Sequence, residues 1–131
     1  RTLSTAIFQE WQGRWTATRN NKLREIKPDI SPWATSNRRS RKEETVLARL
    51  RIGHTKLTHS YLFTRDKDIP KCRLCNDNLT VKHILTDCCR MDDLRRRHNL
   101  PSTLSEMLAD DETTIKRLYY YLRDTQNFTD I

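Results

Sequence analysis

The sequence predicts a mainly α fold, a small helical domain organised around a Cys3His knuckle. Three observations point there. Every apolar periodicity along the 131 residues has helical spacing. The chain has only 2 glycines and 2 valines, too few turn formers and β-branched aliphatics for a sandwich or barrel. Finally, Cys72, Cys75, His83 and Cys88 follow the pattern C-x2-C-x7-H-x4-C. Hydrophobic residues make up 35% of the chain, so the core is modest and gains from a staple.

The elements follow in order. Leu3, Ile7, Trp11 and Trp15 recur every four residues as the stripe of a first helix, capped by Ser4 or Thr5 and weakened at Gly13. The two tryptophans are expected to pack in a core or against a neighbouring domain. Lys22 to Ile26 add a turn; Pro28, Ser31 and Pro32 then mark a loop in which Trp33 must anchor. Residues 1–37 thus read as an N-terminal arm with its loop. Ser40 and Glu43 have the spacing of a capping box. The helix behind them buries Val46, Leu47 and Leu50, and shows Lys42, Thr45 and Arg49 on its other side. Gly53 is placed to stop it in a left-handed conformation. Thr55 opens a short helix through Leu57, Tyr61 and Leu62, making 38–68 a basic helical hairpin. The knuckle occupies 69–99, where Thr80 caps a helix through Val81, Ile84 and Leu85 that runs toward Leu94. In 100–131, Pro101-Ser102 starts a helix with Leu104, Met107 and Leu108 on one side. Asp110, Asp111 and Glu112 then sit where a helix dipole favours negative charge, ahead of Ile115, Leu118, Tyr119 and Leu122.

A C-x2-C knuckle sets two thiolates on one tight turn, each able to reach a tetrahedral Zn²⁺ at about 2.3 Å. His83 and Cys88 close the shell from the next helix, and four protein ligands make the site structural. Residues five apart on a regular helix diverge. Either the helix loosens before Cys88, or Cys89 takes the fourth place. H-x4-C is the commoner ligand spacing and favours Cys88, leaving Cys89 as a free, buried thiol. Disulfides would need a secreted chain, and nothing signals secretion. A redox C-x-x-C would need a βαβ context, which is missing. His54 and His59 lack accompanying thiols and are expected to hydrogen-bond within the hairpin, while His98 reads as surface.

The net charge of +8 is one-sided. Residues 1–56 hold 13 basic and 5 acidic side chains (+8), residues 57–99 hold 9 and 6 (+3), and residues 100–131 hold 3 and 6 (−3). A local positive field attracts polyanions. Arg38, Arg39, Arg41, Lys42, Arg49 and Arg51 are therefore expected to meet nucleic-acid phosphates, with Arg95, Arg96 and Arg97 as a second contact. Two glycines leave no phosphate-cradling loop, and no nucleophile, acid pair or H-E-x-x-H suggests catalysis. No small-molecule substrate is expected. No apolar run approaches a membrane span. The chain, beginning at Arg1 without a signal-like stretch, reads as a piece of a longer polypeptide.

Three runs resemble a known family: Leu47-Ala-Arg-Leu-Arg-Ile-Gly-His-Thr-Lys-Leu-Thr-His-Ser-Tyr-Leu62, Pro70-Lys-Cys-Arg-Leu-Cys75 and Leu79-Thr-Val-Lys-His-Ile-Leu-Thr-Asp-Cys88. They are similar to the extreme C-terminal region of the reverse transcriptase polyproteins of jockey- and I-type non-LTR retrotransposons, after the ribonuclease H domain. Leu23-Arg-Glu-Ile-Lys-Pro28 and Pro32-Trp33 are similar too, so the likeness covers roughly residues 20–95. It departs where the family commonly has Pro after the last cysteine and this chain has Cys89. The resemblance implies a non-catalytic domain that helps hold template RNA or target DNA. It implies zinc ligation by Cys72, Cys75, His83 and Cys88, the rest of the parent polyprotein as a partner, and an intracellular, nuclear location. A protein-interaction module, or a transposon fragment serving a host, are the competing expectations.

Overall fold

The computed structural model describes residues 2–59, 69–125 and 131, and their regular segments are helical. The only strand-like pairing among them is an isolated antiparallel bridge between Lys71 and Asn78. Helix α1 spans Thr2–Ala17 and α2 spans Lys22–Ile26. A 3-10 turn at Ala34–Ser36 leads to α3 (Arg41–Ile52) and α4 (Lys56–His59). The knuckle follows, then α5 (Asp92–Arg97), α6 (Leu104–Met107) and α7 (Glu112–Asp124). Tyr61 and Leu62 of the expected hairpin, and the Leu3 side chain, lie outside the described residues.

Helix α3 forms where its caps require. Ser40 Oγ accepts from Glu43 N–H at 3.2 Å. Only this half of the capping box is made, because the Glu43 carboxylate turns instead to Arg123, 3.6 Å away. At the far end Gly53 takes φ 83°, a conformation open to glycine at little cost. The N–H groups of Gly53 and His54 then return to the Arg49 carbonyl at 2.9 and 3.1 Å.

Val46, Leu47 and Leu50 of α3 meet Ile115, Leu118, Tyr119, Tyr121 and Leu122 of α7 in one core. Val81, Ile84 and Leu85 enter from the knuckle, Met107 and Leu108 from the end of α6, and Ile26 from α2. Tyr119 Oη donates to the Glu43 carbonyl at 2.8 Å and pins α7 to the start of α3. Helix α6 starts at Thr103, whose hydroxyl accepts from Glu106 N–H, and not at Pro101-Ser102. Asp111 alone caps α7, accepting from Thr113 N–H at 3.1 Å. Asp110 reaches across instead to the N–H and hydroxyl of Thr35, at 2.9 and 2.6 Å.

The stripe on α1 stays out of this core. Ile7 and Trp11 of the stripe, with Phe8 beside it, are 43%, 60% and 45% exposed. Of the two packings expected for the tryptophans, Trp11 does not take the one in this core, while Trp15 is half-buried. Gly13 does not interrupt the helix. What holds α1 is polar: Gln12 bonds the Pro28 carbonyl (2.9 Å) and Ile30 N–H (3.0 Å), and Trp15 Nε1 donates to the Lys27 carbonyl (2.8 Å). Trp33 finds its anchor between two cations, with Lys27 5.0 Å and Arg51 4.8 Å from the ring centroid.

Arg51 is buried, at 5% exposure, which removes it from the expected phosphate contacts. Its guanidinium donates to the Leu108 carbonyl (3.0 Å), the Thr35 hydroxyl (2.8 Å) and the Ala109 carbonyl (3.3 Å). The fork thereby ties the end of α3 to the end of α6 and to the 3-10 turn. Arg51→Ala should lower stability in urea unfolding by about 2–4 kcal/mol, since it strands buried acceptors. Arg51→Lys should recover only a minor part of that loss, because one ammonium cannot reproduce the planar fork.

Candidate metal centre

The knuckle is a tight loop closed by its own backbone. Leu79 N–H bonds the Pro70 carbonyl (2.8 Å), Cys72 N–H the Asp77 carbonyl (2.7 Å), and Asn76 N–H the Cys72 carbonyl (2.8 Å). Asn76 takes φ 61°, a left-handed position that asparagine tolerates better than most residues. Cys72 and Cys75 therefore share one turn. Thr80 Oγ1 then accepts from His83 N–H at 3.0 Å and starts the next helical turn.

That turn does not continue as a regular helix toward Leu94. Residues His83–Asp87 form a π turn, and Cys88 N–H bonds the His83 carbonyl, five residues back, at 2.8 Å. The wider turn brings positions i and i+5 onto one side, which a regular helix cannot do. Cys88 then leaves the turn with an extended backbone, and a 3-10 turn at Cys89–Met91 leads into α5. Widening frees the Ile84 carbonyl, whose partner in a regular helix would be Cys88 N–H. Tyr121 Oη donates to it at 2.7 Å. Arg95 donates to the Cys88 carbonyl beyond.

The ligand atoms of Cys72, Cys75, His83 and Cys88 all lie within 4.8 Å of one another, a group able to hold a metal ion. The Sγ atoms of Cys75 and Cys88 are 3.6 Å apart, those of Cys72 and Cys88 3.9 Å. Tetrahedral ligands at about 2.3 Å from a metal stand roughly 3.8 Å apart, so these sulfurs already have the edge lengths of such a shell. His83 is buried, yet its Nε2 has no hydrogen-bond partner. A core histidine serving packing alone would normally be satisfied at that atom. Burial pushes the Cys72 thiol up, but the N–H groups of Cys75 and Leu74, together with the His83 and Cys88 side chains, leave its pKa below the ordinary value. Cys88 is pushed up to about 11, first by burial and then by the neighbouring Cys75. A divalent cation would remove that conflict by taking the thiolate charge.

Cys89 stands outside the group of four. It is exposed rather than buried, with its Sγ 3.7 Å from that of Cys75. His54 and His59 lie outside this group; their rings stack at 3.9 Å and 11°, and His59 Nδ1 shares a hydrogen bond with the Thr58 hydroxyl at 2.7 Å, within the segment expected to hold it. His98 is half-buried, with Nε2 2.6 Å from Asp124.

The nine basic side chains expected to meet phosphates divide sharply. Arg38, Arg51 and Arg95 are turned inward. The Arg38 side chain is 6% exposed, 2.6 Å from Glu112 and over the Tyr119 ring. Arg95 bonds the Cys88 carbonyl and Asp92. Arg49 is half-buried and donates to the Ile131 carbonyl at 2.8 Å. Lys42 is half-buried. Arg39, Arg41, Arg96 and Arg97 are exposed. Spacing gave no sign of Tyr121 and Arg95 as supports of the π turn, since neither falls on a predicted apolar stripe or ligand pattern. No helix among the described residues is long and apolar enough to cross a membrane.

Comparison with protein families, with curated proteins and with solved structures gives no match.

Two outcomes follow from this geometry. Metal binding and folding should be one equilibrium, so a strong chelator should reduce the helical circular dichroism and added zinc should restore it. His83→Ala should make that signal insensitive to both. The second outcome concerns His59, whose pKa lies below the ordinary 6.5 because of burial first, then repulsion from His54 and Lys22. As pH falls, the unfolded chain takes up this proton before the folded one. The stability involved is therefore whole above about pH 6.5 and lost as pH drops toward the lower folded value. Urea midpoints should fall more steeply below about pH 6.5 for the native chain than for His59→Gln.

Proposed function

We propose that the chain is a non-catalytic, zinc-stapled domain that binds nucleic acid. In this role it resembles the C-terminal region of jockey- and I-type non-LTR retrotransposon reverse transcriptase polyproteins, holding template RNA or target DNA for a polymerase elsewhere in the parent chain. The observation that carries this is the fate of the basic residues. Once the fold has absorbed Arg38, Arg51 and Arg95, the side chains of Arg39, Arg41, Arg96 and Arg97 still face solvent. Three sulfurs and one imidazole are a donor set that suits zinc, and four protein ligands leave no open position for a reacting water. Zinc there supplies a crosslink and neutralises thiolate charge. Cys72 and Cys75 hold the knuckle turn, and His83 and Cys88 hold the π turn against it. Exposed guanidiniums on such a frame position a phosphate backbone without reading its sequence. A nuclear location and contact with the remaining polyprotein belong to the same proposal.

Binding measured on single- and double-stranded RNA and DNA, each at two salt concentrations, tests it. Replacing Arg39, Arg41, Arg96 and Arg97 together by Ala should weaken binding and flatten the salt dependence. Each lost phosphate contact lowers the log–log slope by about 0.7–0.9. Unchanged affinity and slope would overturn the assignment. The exposed Ile7, Phe8 and Trp11 favour one alternative, a protein-interaction module whose α1 docks on a partner. A zinc-loaded chain indifferent to all four nucleic acids would favour it.

A further inference from the structure

The chain has one cysteine more than a four-coordinate shell uses, and that cysteine is the accessible one. Cys89 is exposed, whereas Cys88 beside it is 3% exposed. Cys75 Sγ lies 3.6 Å from Cys88 Sγ, inside the shell, and 3.7 Å from Cys89 Sγ, outside it. The Cys75 sulfur thus lies almost as close to Cys89, outside the group of four, as to Cys88 within it. A disulfide needs its sulfurs at about 2.05 Å, and side-chain rotation can close a gap of this size.

We propose that Cys75 and Cys89 form an oxidisable pair through which a peroxide loosens the metal centre. The proposal rests on metal binding by Cys72, Cys75, His83 and Cys88. The Cys89 sulfur attacks one peroxide oxygen, the O–O bond breaks, and a sulfenic acid forms as one water leaves. The Cys75 sulfur then attacks the Cys89 sulfur. The S–O bond breaks, and that oxygen departs as a second water after taking a proton from solvent. The two sulfurs lose two electrons and the peroxide gains them. The Cys75 electron pair that would have held a metal now lies in the S–S bond, leaving three protein donors. Weaker metal binding means a less stable fold, since the two equilibria are linked. A dithiol reductant reverses the step by thiol–disulfide exchange.

The test uses the full chain carrying zinc, with metal content measured first. A small excess of hydrogen peroxide is added, released zinc is followed with a chromogenic chelator, and disulfides are mapped by mass spectrometry of unreduced peptides. The native chain should release zinc as a Cys75–Cys89 linkage appears, and should rebind it after reduction. Cys89→Ser keeps all four proposed ligands, and should release zinc at least about tenfold more slowly. Equal release rates, or a linkage confined to Cys72 and Cys75, would overturn the oxidisable pair while leaving the metal centre intact. A chain that binds no zinc at all would overturn the metal centre, and the pair with it.

Discussion

One hydrogen bond governs the geometry of the candidate site, that from Cys88 N–H to the His83 carbonyl. It reaches one residue further than a helical bond and widens a single turn. Without it His83 and Cys88 would point apart, and the C-x2-C turn would face one ligand instead of two. The widening has a cost, because a carbonyl loses its helical partner in a buried place. Tyr121 meets it by donating to Ile84, and this tyrosine is fully buried on α7. Leu85, at the centre of the turn, is equally buried. The irregular turn is therefore held by the core on one side and closes the ligand cluster on the other.

The basic residues obey a related economy. A charge count over residues 1–56 treats every guanidinium as surface, but polar bonds add to the apolar contacts that join α3, α6 and the Ala34–Ser36 turn. Arg51 supplies such bonds with a forked set of donors, and Arg38 does so between the Glu112 carboxylate and the Tyr119 ring. Arginine suits this work because its stem packs while its plane bonds several acceptors at once. The field offered to a polyanion is accordingly smaller than the sequence total, and it comes from the side chains that the fold leaves outside.

Much of this architecture could be read from residue order. Ser40 and Gly53 delimit α3 because capping and left-handed backbone are local chemistry, and local chemistry is visible in four or five residues. The α7 stripe is visible for the same reason. Tyr121 escaped because its burial depends on the knuckle, which lies 37 residues away along the chain. Trp11 shows the opposite limit, since its stripe left core and inter-domain packing open and it lies outside this core. Its helical spacing is real, but periodicity states only that a face is apolar, not that anything in the chain covers it. Arg51 and Thr35 escaped because their pairing joins two loops to a helix end, and no sequence period encodes such a contact. The ligand spacing left Cys88 and Cys89 as alternatives. Only the π turn, itself fixed by distant partners, separates a buried thiol facing His83 from an exposed one beside it.

Metal, core and basic surface are thereby mechanically joined. Arg95, on α5, bonds the carbonyl of the candidate ligand Cys88, and its neighbours Arg96 and Arg97 project to solvent from the same short helix. Six residues are too few for a helix to persist without tertiary support. The position of Arg96 and Arg97 is thus set by the bond from Arg95 to the Cys88 carbonyl together with Leu94 against the core and His98 against Asp124. Loss of a ligand at Cys72, Cys75, His83 or Cys88 would loosen the loop that presents the Cys88 carbonyl to Arg95, while Leu94 and the His98–Asp124 pair still hold α5 to the core and α7. A metal held by these four residues would do more than offset a thin core. It would also brace the loop whose Cys88 carbonyl accepts from Arg95, next to the exposed Arg96 and Arg97.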